Sequence, residues 1–206
     1  KDLKIGNQLL NARSEAAATK PAFRRAFKSR RCIILADGFY EWKSLSGGKQ
    51  PFLIQPRNEQ RPLFCFAGLW ETWFTPEVAK TETPRAADFN RQLDLFGETD
   101  WPKDAQAETH RNAAPDLVES CTILTTSANG FMAQLHDRMP VILAEQDLPL
   151  WLTSAHNDNL ARLNSLLQPC PDDWLRMHPV SKLVNKPATN SPVCVEPIEL
   201  APSEES

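Results

Sequence analysis

Between residues 31 and 70 four short runs, RCIIL, FYEW, PFLIQ and LFCFAGLW, concentrate β-branched and aromatic side chains, and DG, GG or proline-containing turns separate them. Runs of this kind form strands, and SLSGGKQP between the second and third is a hairpin-type connection. This part of the chain is therefore expected to be antiparallel or mixed sheet. Strand character returns in SCTILTT and, after a turn, in MPVIL.

Helices are expected on both sides of this region. Thr19 is a candidate N-cap for a helix reaching roughly Lys28, with Pro21 tolerated in its first turn and Phe23 and Phe27 four apart on its buried face. Ser14 can cap a short turn beside Glu15. AEQDLPLWLTS and NDNLARLNSLLQP read as helices, the second with Leu160, Leu163, Leu166 and Leu167 at helical spacing. DWLRMHPVSKLV reads as a strand and a turn. The class is α+β, one domain of 206 residues with a hydrophobic fraction of 41%, enough for a core.

Residues 75–118 break the pattern. They are polar, alanine-rich and proline-punctuated with little periodicity, which marks a surface insertion between two strands. The tail at 200–206, ending in APSEES, is polar and acidic and is expected to fray. The chain starts at full complexity on KDLKIGNQLLNARSE, without an initiator Met, and reads like the middle of a protein.

A net charge of −3 does not announce nucleic acid, so any DNA-binding surface must be a local basic patch. The clearest candidate is FRRAFKSRR at 23–31, with Arg24, Arg25, Lys28, Arg30 and Arg31; the alternative is the solvated face of a helix. No apolar run approaches the ~20 residues of a membrane helix, and no signal peptide opens the chain. A cytoplasmic, monomeric protein without metal or cofactor is expected. Of the five cysteines, Cys32, Cys65 and Cys121 lie in apolar strand-like runs and are expected to be buried, reduced thiols; none makes a CxxC pair or stands at zinc-ligand spacing from a histidine.

Four stretches place polar groups among apolar neighbours: NARSE at 11–15, ADGFYEWK at 36–43, HDRMP at 136–140 and HPVSKLVN at 178–185. Glu41 stands between Tyr40 and Trp42. In aromatic surroundings a carboxyl loses solvation, its pKa rises, and it suits proton transfer; simple strand alternation would instead leave it on the wet face. His136 is a candidate acid/base group that Asp137 could orient, or an exposed turn residue. Asn11 and Arg13 flank Ala12 and would share one face of an extended chain, offering an amide and a planar fork suited to phosphate, or they are a turn Asn and a surface Arg.

Taken together and in this order, NARSEAAATKPAFRRAFKSRRCIILADGFYEWK, FAGLWETW, CTILTT, LHDRMPVIL and HPVSKLVN resemble the SOS response-associated peptidase (SRAP) family over nearly the whole chain outside 75–118. The resemblance implies a curved, barrel-like mixed or antiparallel sheet with flanking helices. It implies a protein that senses abasic sites in single-stranded DNA during the SOS response. In such a protein an N-terminal Cys attacks the open-ring aldehyde and closes a thiazolidine, leaving a DNA–protein crosslink, and the same cysteine gives the family its peptidase label. By the same resemblance Asn11 orients that cysteine and the sugar, Glu41 helps proton transfers, His136 assists Schiff-base chemistry and reversal, and Arg13 and Arg138 contact phosphates. The family begins Met-Cys-Gly-Arg, so an N-terminal segment is expected to be missing before Lys1. Without it, a non-covalent single-stranded DNA-binding module is the alternative. A cysteine peptidase is the third reading, and no cysteine within the chain has the polar, exposed setting it requires.

The insertion generates a test. Long surface insertions cost little loop entropy, so replacing residues 75–118 with a short Gly/Ser connector should leave thermal unfolding nearly unchanged; a large fall in Tm would show that the stretch packs on the core.

Overall fold

The computed structural model describes residues 9–74, 117–153 and 160–200. The chain divides into two compact units, residues 1–71 with 121–206, and residues 72–120. Residues 75–116, nearly all of the expected insertion, lie outside the described residues, as do 201–206 of the tail, and so does most of the second unit. What is described of it is the far ends of two long strands.

The extended NAR triplet forms β1 (Asn11–Arg13), and α1 (Ser14–Ala17) and α2 (Arg24–Ser29) follow. The runs read as strands become β2 (Arg31–Ala36), β3 (Phe39–Leu45), β4 (Gly48–Pro56), β5 (Phe64–Phe74), β6 (Leu117–Ser127) and β7 (Arg138–Pro140). Then come α3 (Leu148–Leu152), α4 (Leu160–Ser165) and β8 (Leu175–Pro179). The mixed α+β content is as expected. Among the described residues the strands do not close into a barrel: they form one sheet in the order β1-β6-β5-β2, with β7 also on β6, and a second in the order β3-β4-β8.

Strand alternation assigns the two cores. Ala67 and Leu69 of β5 join Phe27, Trp151 and Leu163 in a cluster between the first sheet and the helices, with Cys65 packed against it. Phe64 and Phe66, on the opposite face of β5, join Phe52, Ile54 and Leu175 in a cluster facing the second sheet. Phe39 closes this cluster, its ring 5.9 Å from Phe64 and 5.8 Å from Phe66. Burial of each large side chain contributes roughly 1.5–3 kcal/mol.

Two glycines set the second sheet. The β3–β4 hairpin pairs Leu45 with Gly48, and Gly48 has φ 99°, a conformation that favours a residue without Cβ. At Gly38, in the DG turn, a Cβ would lie 2.7 Å from the Ile54 carbonyl oxygen, so only glycine lets the chain enter β3 this close to β4.

The helix expected from Thr19 is shorter. The Thr19 hydroxyl and N–H both turn back to the Ala16 carbonyl, which closes α1 instead of opening α2. Phe23 and Phe27 are both buried, as the spacing implied. The expectation for the cysteines needs correcting too. Cys32 and Cys65 are half-buried and Cys121 is exposed, while Cys170 and Cys194 are the buried ones. An apolar run does not by itself decide which face of its strand is covered.

The basic run at 23–31 also divides. Arg24, Arg25 and Lys28 are exposed. Arg30 pairs with Glu71 at 2.6 Å. Arg31 turns inward, 7% exposed, and donates to the carbonyls of Phe27 (2.7 Å), Lys28 (2.9 Å), Trp151 (2.6 Å) and Thr153 (2.8 Å). The first three are last-turn carbonyls of α2 and α3, which have no partner within their own helices, and Thr153 is the extended residue that ends α3. One guanidinium thus caps two helix ends, and it also lies 5.6 Å over the Trp151 ring. Arg31 is therefore a structural residue and not part of a DNA-facing patch. Arg31→Met should lower stability by about 3 kcal/mol or more, because several buried carbonyls lose their donor together. Urea unfolding would show this as a lower midpoint with an unchanged slope; a midpoint within error of the parent would mean that water replaces the guanidinium.

Candidate functional site

The site is organised by β6, which has neighbours on both edges. Asn11, Ala12 and Arg13 pair in parallel with Ile123, Leu124 and Thr125. On the other edge β7 pairs antiparallel, Thr125 with Pro140, Thr126 with Met139 and Ser127 with Arg138. Paired strand residues share a face, and faces alternate. Asn11, Arg13 and Thr125 therefore stand on one face, where Arg138 reaches the Thr125 hydroxyl at 3.3 Å, while Ala12 and Leu124 are buried on the other in the helix-facing cluster; Thr126 is buried as well, and Met139 is buried in the cluster that faces the second sheet. The sequence expectation that Asn11 and Arg13 share a face holds: both are exposed on either side of the buried Ala12.

Arg138 is the most constrained member. Its side chain is 19% exposed. Nη1 and Nη2 donate to the two carboxylate oxygens of Glu15 at 2.6 and 3.0 Å, and Nη2 also donates to the Thr125 carbonyl at 2.5 Å. Glu15 is half-exposed, and the Arg138 hydrogen bond holds its carboxyl below the ordinary range, with the charge of Arg13 adding to the effect.

His136 sits in the turn before β7, and its backbone N–H donates to Met132 O at the 3-10 turn Met132–Gln134. The ring Nδ1 accepts from the Arg138 backbone N–H at 3.0 Å and also lies 3.0 Å from Asp137 Oδ1. The two contacts need opposite protonation. A neutral ring with its proton on Nε2 satisfies the amide; a doubly protonated ring gives up that bond and donates to Asp137.

Glu41 lies on β3, two residues from Phe39 and so on the same face of that strand, and is half-buried. Burial raises its pKa, and the charges of His136 and Lys49 pull part of the way back. Of the two sequence alternatives, the desolvated carboxyl holds and the fully wet face does not. Glu41, Trp42, Lys49, His136 and Asn185 line one cleft of about 500 Å³. The Trp42 indole N–H donates to Asn185 Oδ1 at 2.8 Å, which ties β3 to the 3-10 turn Lys182–Asn185.

All four polar stretches thus meet: NARSE through Glu15 on Arg138, FYEWK and HPVSKLVN through the cleft wall, and HDRMP in the middle. Glu15, Lys49 and Asn185 are the members that reading the sequence did not single out. Glu15 and Asn185 lay inside stretches already marked as unusual; Lys49 sits in the hairpin and carried no signal. His178, from the same stretch as Asn185, points elsewhere, its Nε2 2.9 Å from Val195 O. Burial pushes the thiols of Cys32 to about 11 and Cys170 to about 12 and raises that of Cys65, which leaves all three as poor nucleophiles near neutrality. Among the described residues no group of three or more His, Cys, Asp or Glu is placed to hold a metal ion, and no helix is long and apolar enough to cross a membrane.

The Glu41 environment makes a signed prediction. A carboxyl-detected NMR titration should place Glu41 above the ordinary glutamate range, and His136→Ala should move it higher, because a positive charge is lost. A folded-state pKa above the unfolded value gives stability that is fullest below the unfolded value and is lost as pH rises through the folded one. Glu41→Gln should therefore raise Tm at neutral pH; a lower Tm would mean that the carboxylate is better satisfied than its burial implies.

The SOS response associated peptidase (SRAP) family model matches residues 1–187. The abasic site processing protein YoqW of Bacillus subtilis (strain 168) is 39% identical over 197 residues, 95% of this chain and 70% of its own length. The abasic site processing protein HMCES of Gallus gallus is 30% identical over 193 residues, 92% of this chain and 50% of its own length. A crystal structure of a protein from Bacteroides thetaiotaomicron superposes with a TM-score of 0.71 at 23% identity, covering 95% of this chain and 68% of that one, and supports the fold. With the family model spanning most of the sequence and the motif stretches gathered at one site, this chain belongs to the SRAP family.

Proposed function

We propose that the chain processes abasic sites in single-stranded DNA, as part of the SOS response, using the cleft between Glu41 and His136 for the sugar and the neighbouring face of β1, β6 and β7 for the backbone. The observation that carries this reading is the convergence itself. A desolvated carboxyl and an imidazole line one cleft, and the turn holding the imidazole runs straight into Arg138, which reaches Thr125 on the face that carries Asn11 and Arg13. An acid/base pair beside cationic and amide groups suits a ring-opened sugar flanked by phosphates.

In the covalent step, the α-amine of a terminal cysteine condenses with the aldehyde and releases water to give an imine. Its thiolate then adds to the imine carbon, the nitrogen takes up a proton, and a thiazolidine closes. Asn11 orients the cysteine and sugar, Glu41 moves the protons of ring opening and condensation, and His136 serves the imine and its reversal. Arg13 and Arg138 face the phosphates. The raised thiol pKa values of Cys32, Cys65 and Cys170 disfavour a peptidase built on any of those three residues.

A denaturing gel of an oligonucleotide with one abasic site tests the chemistry. A polypeptide made of these 206 residues alone carries no α-amine and thiol on one terminal residue and should give no heat-stable shifted band. The same polypeptide preceded by a Met-Cys-Gly-Arg type segment should give one. In that protein Glu41→Ala should slow crosslinking by ~10²–10⁴-fold, the usual weight of positioned acid–base catalysis, while His136→Ala should act more on reversal. A heat-stable band from the 206 residues alone would sink this chemistry. Binding is tested separately: Arg13→Ala should flatten log K against log salt by ~0.7 for a single strand, and an unchanged slope removes Arg13 from the phosphate contacts.

A further inference from the structure

We propose that Glu15 sets the DNA affinity of this site: its carboxylate occupies the Arg138 fork as a phosphate would, and a backbone phosphate must displace it to reach Arg138. The inference rests on the reading of this face as a single-stranded DNA contact.

A guanidinium has five N–H donors in a fixed plane, and carboxylate and phosphate use the same two-pronged geometry to bind it. On Arg138 three donors are committed, to Glu15 Oε1, Glu15 Oε2 and the Thr125 carbonyl. The Nε–H is buried with no partner among the described residues. What remains is the second Nη1–H, which cannot make a bidentate contact. With Glu15 in place, an arriving phosphate meets one donor and a negative charge.

The partners differ in freedom. Arg138 is held from behind by Thr125 and is 19% exposed, whereas the Glu15 side chain is 56% exposed and can rotate into solvent without burying anything. Glu15 is therefore the group that leaves. It also feels Arg13, so a single carboxylate answers both arginines assigned to phosphate. Beyond the fork, the Arg138 main chain is tied to His136, which pairs with Asp137 and lines the cleft with Glu41 and Lys49. Displacing Glu15 costs an ion pair of the partly exposed kind, so it tunes affinity without abolishing it.

The test is a double-mutant cycle read by fluorescence anisotropy on a single-stranded oligonucleotide carrying a stable abasic analogue. Glu15→Gln removes the charge and should tighten binding by about threefold to fivefold. Arg138→Lys keeps the positive charge without the fork, and in that background the same substitution should gain less than about twofold. Glu15→Asp keeps the charge but is one methylene too short for the bidentate contact; it should also tighten binding, and it makes the test independent of whether Arg138→Lys folds, which thermal unfolding reports. Weaker binding by Glu15→Gln, an equal gain in both backgrounds, or a Glu15→Asp protein identical to the parent would overturn the proposal while leaving the DNA reading intact. Failure of the parent and every variant to bind would instead remove the DNA reading, and this proposal with it.

Discussion

Thr125 has a strand on each side, Arg13 in parallel on one edge and Pro140 antiparallel on the other, and the candidate site depends on that double pairing. The ladder is continued by the residues after β7. Val141 N–H donates to Leu124 O, Ala67 N–H donates to Val141 O, and Leu143 N–H donates to Cys65 O. The segment after the HDR turn is thereby inserted between β6 and β5. A shift of one residue in either pairing would exchange the faces of β1 or β7. Asn11 and Arg13 would then turn into the helix-facing core and Ala12 would face outward. Burial of Ala12, Leu124 and Met139 opposes such a slip, so the same apolar contacts that stabilise the sheet also aim the polar groups.

Two carboxyls in this architecture, Glu15 and Glu41, illustrate how environment assigns roles. Glu15 is half-exposed and bound by a guanidinium, and its pKa is lowered; Glu41 is half-buried, and desolvation raises its pKa. The first holds stability above its unfolded-state pKa and loses it as pH falls; the second loses it as pH rises. A carboxyl that holds its proton more readily is suited to exchanging it with substrate, and one that stays ionised is suited to holding a cation.

Arginines show the same division of labour. Arg31 satisfies four main-chain carbonyls, Arg30 pairs with Glu71, and Arg138 binds Glu15, while Arg13 stands exposed on β1. A basic cluster in the sequence is a count of charges, and how many of them face a ligand depends on which acceptors the fold leaves unpaired. Burying a guanidinium without acceptors is costly, so inward arginines such as Arg31 find several.

The strand runs of β2 to β6, the hairpin at SLSGGKQP, and the shared faces of Asn11 with Arg13 and of Phe23 with Phe27 were legible in the sequence, because composition, spacing and turn chemistry are local. So were Asn11, Glu41, His136, Arg13 and Arg138 as candidates, through the family's motif order. What the tertiary structure decided were relations between residues far apart in the chain. Among the described residues the sheets stay open, Arg31 turns to the ends of α2 and α3, and Cys121 rather than Cys170 is exposed. Glu15, 123 residues from Arg138, fills its fork. Such pairings depend on which carbonyls, carboxylates and faces packing leaves without water, and desolvation is a property of the folded arrangement that no local run of residues carries.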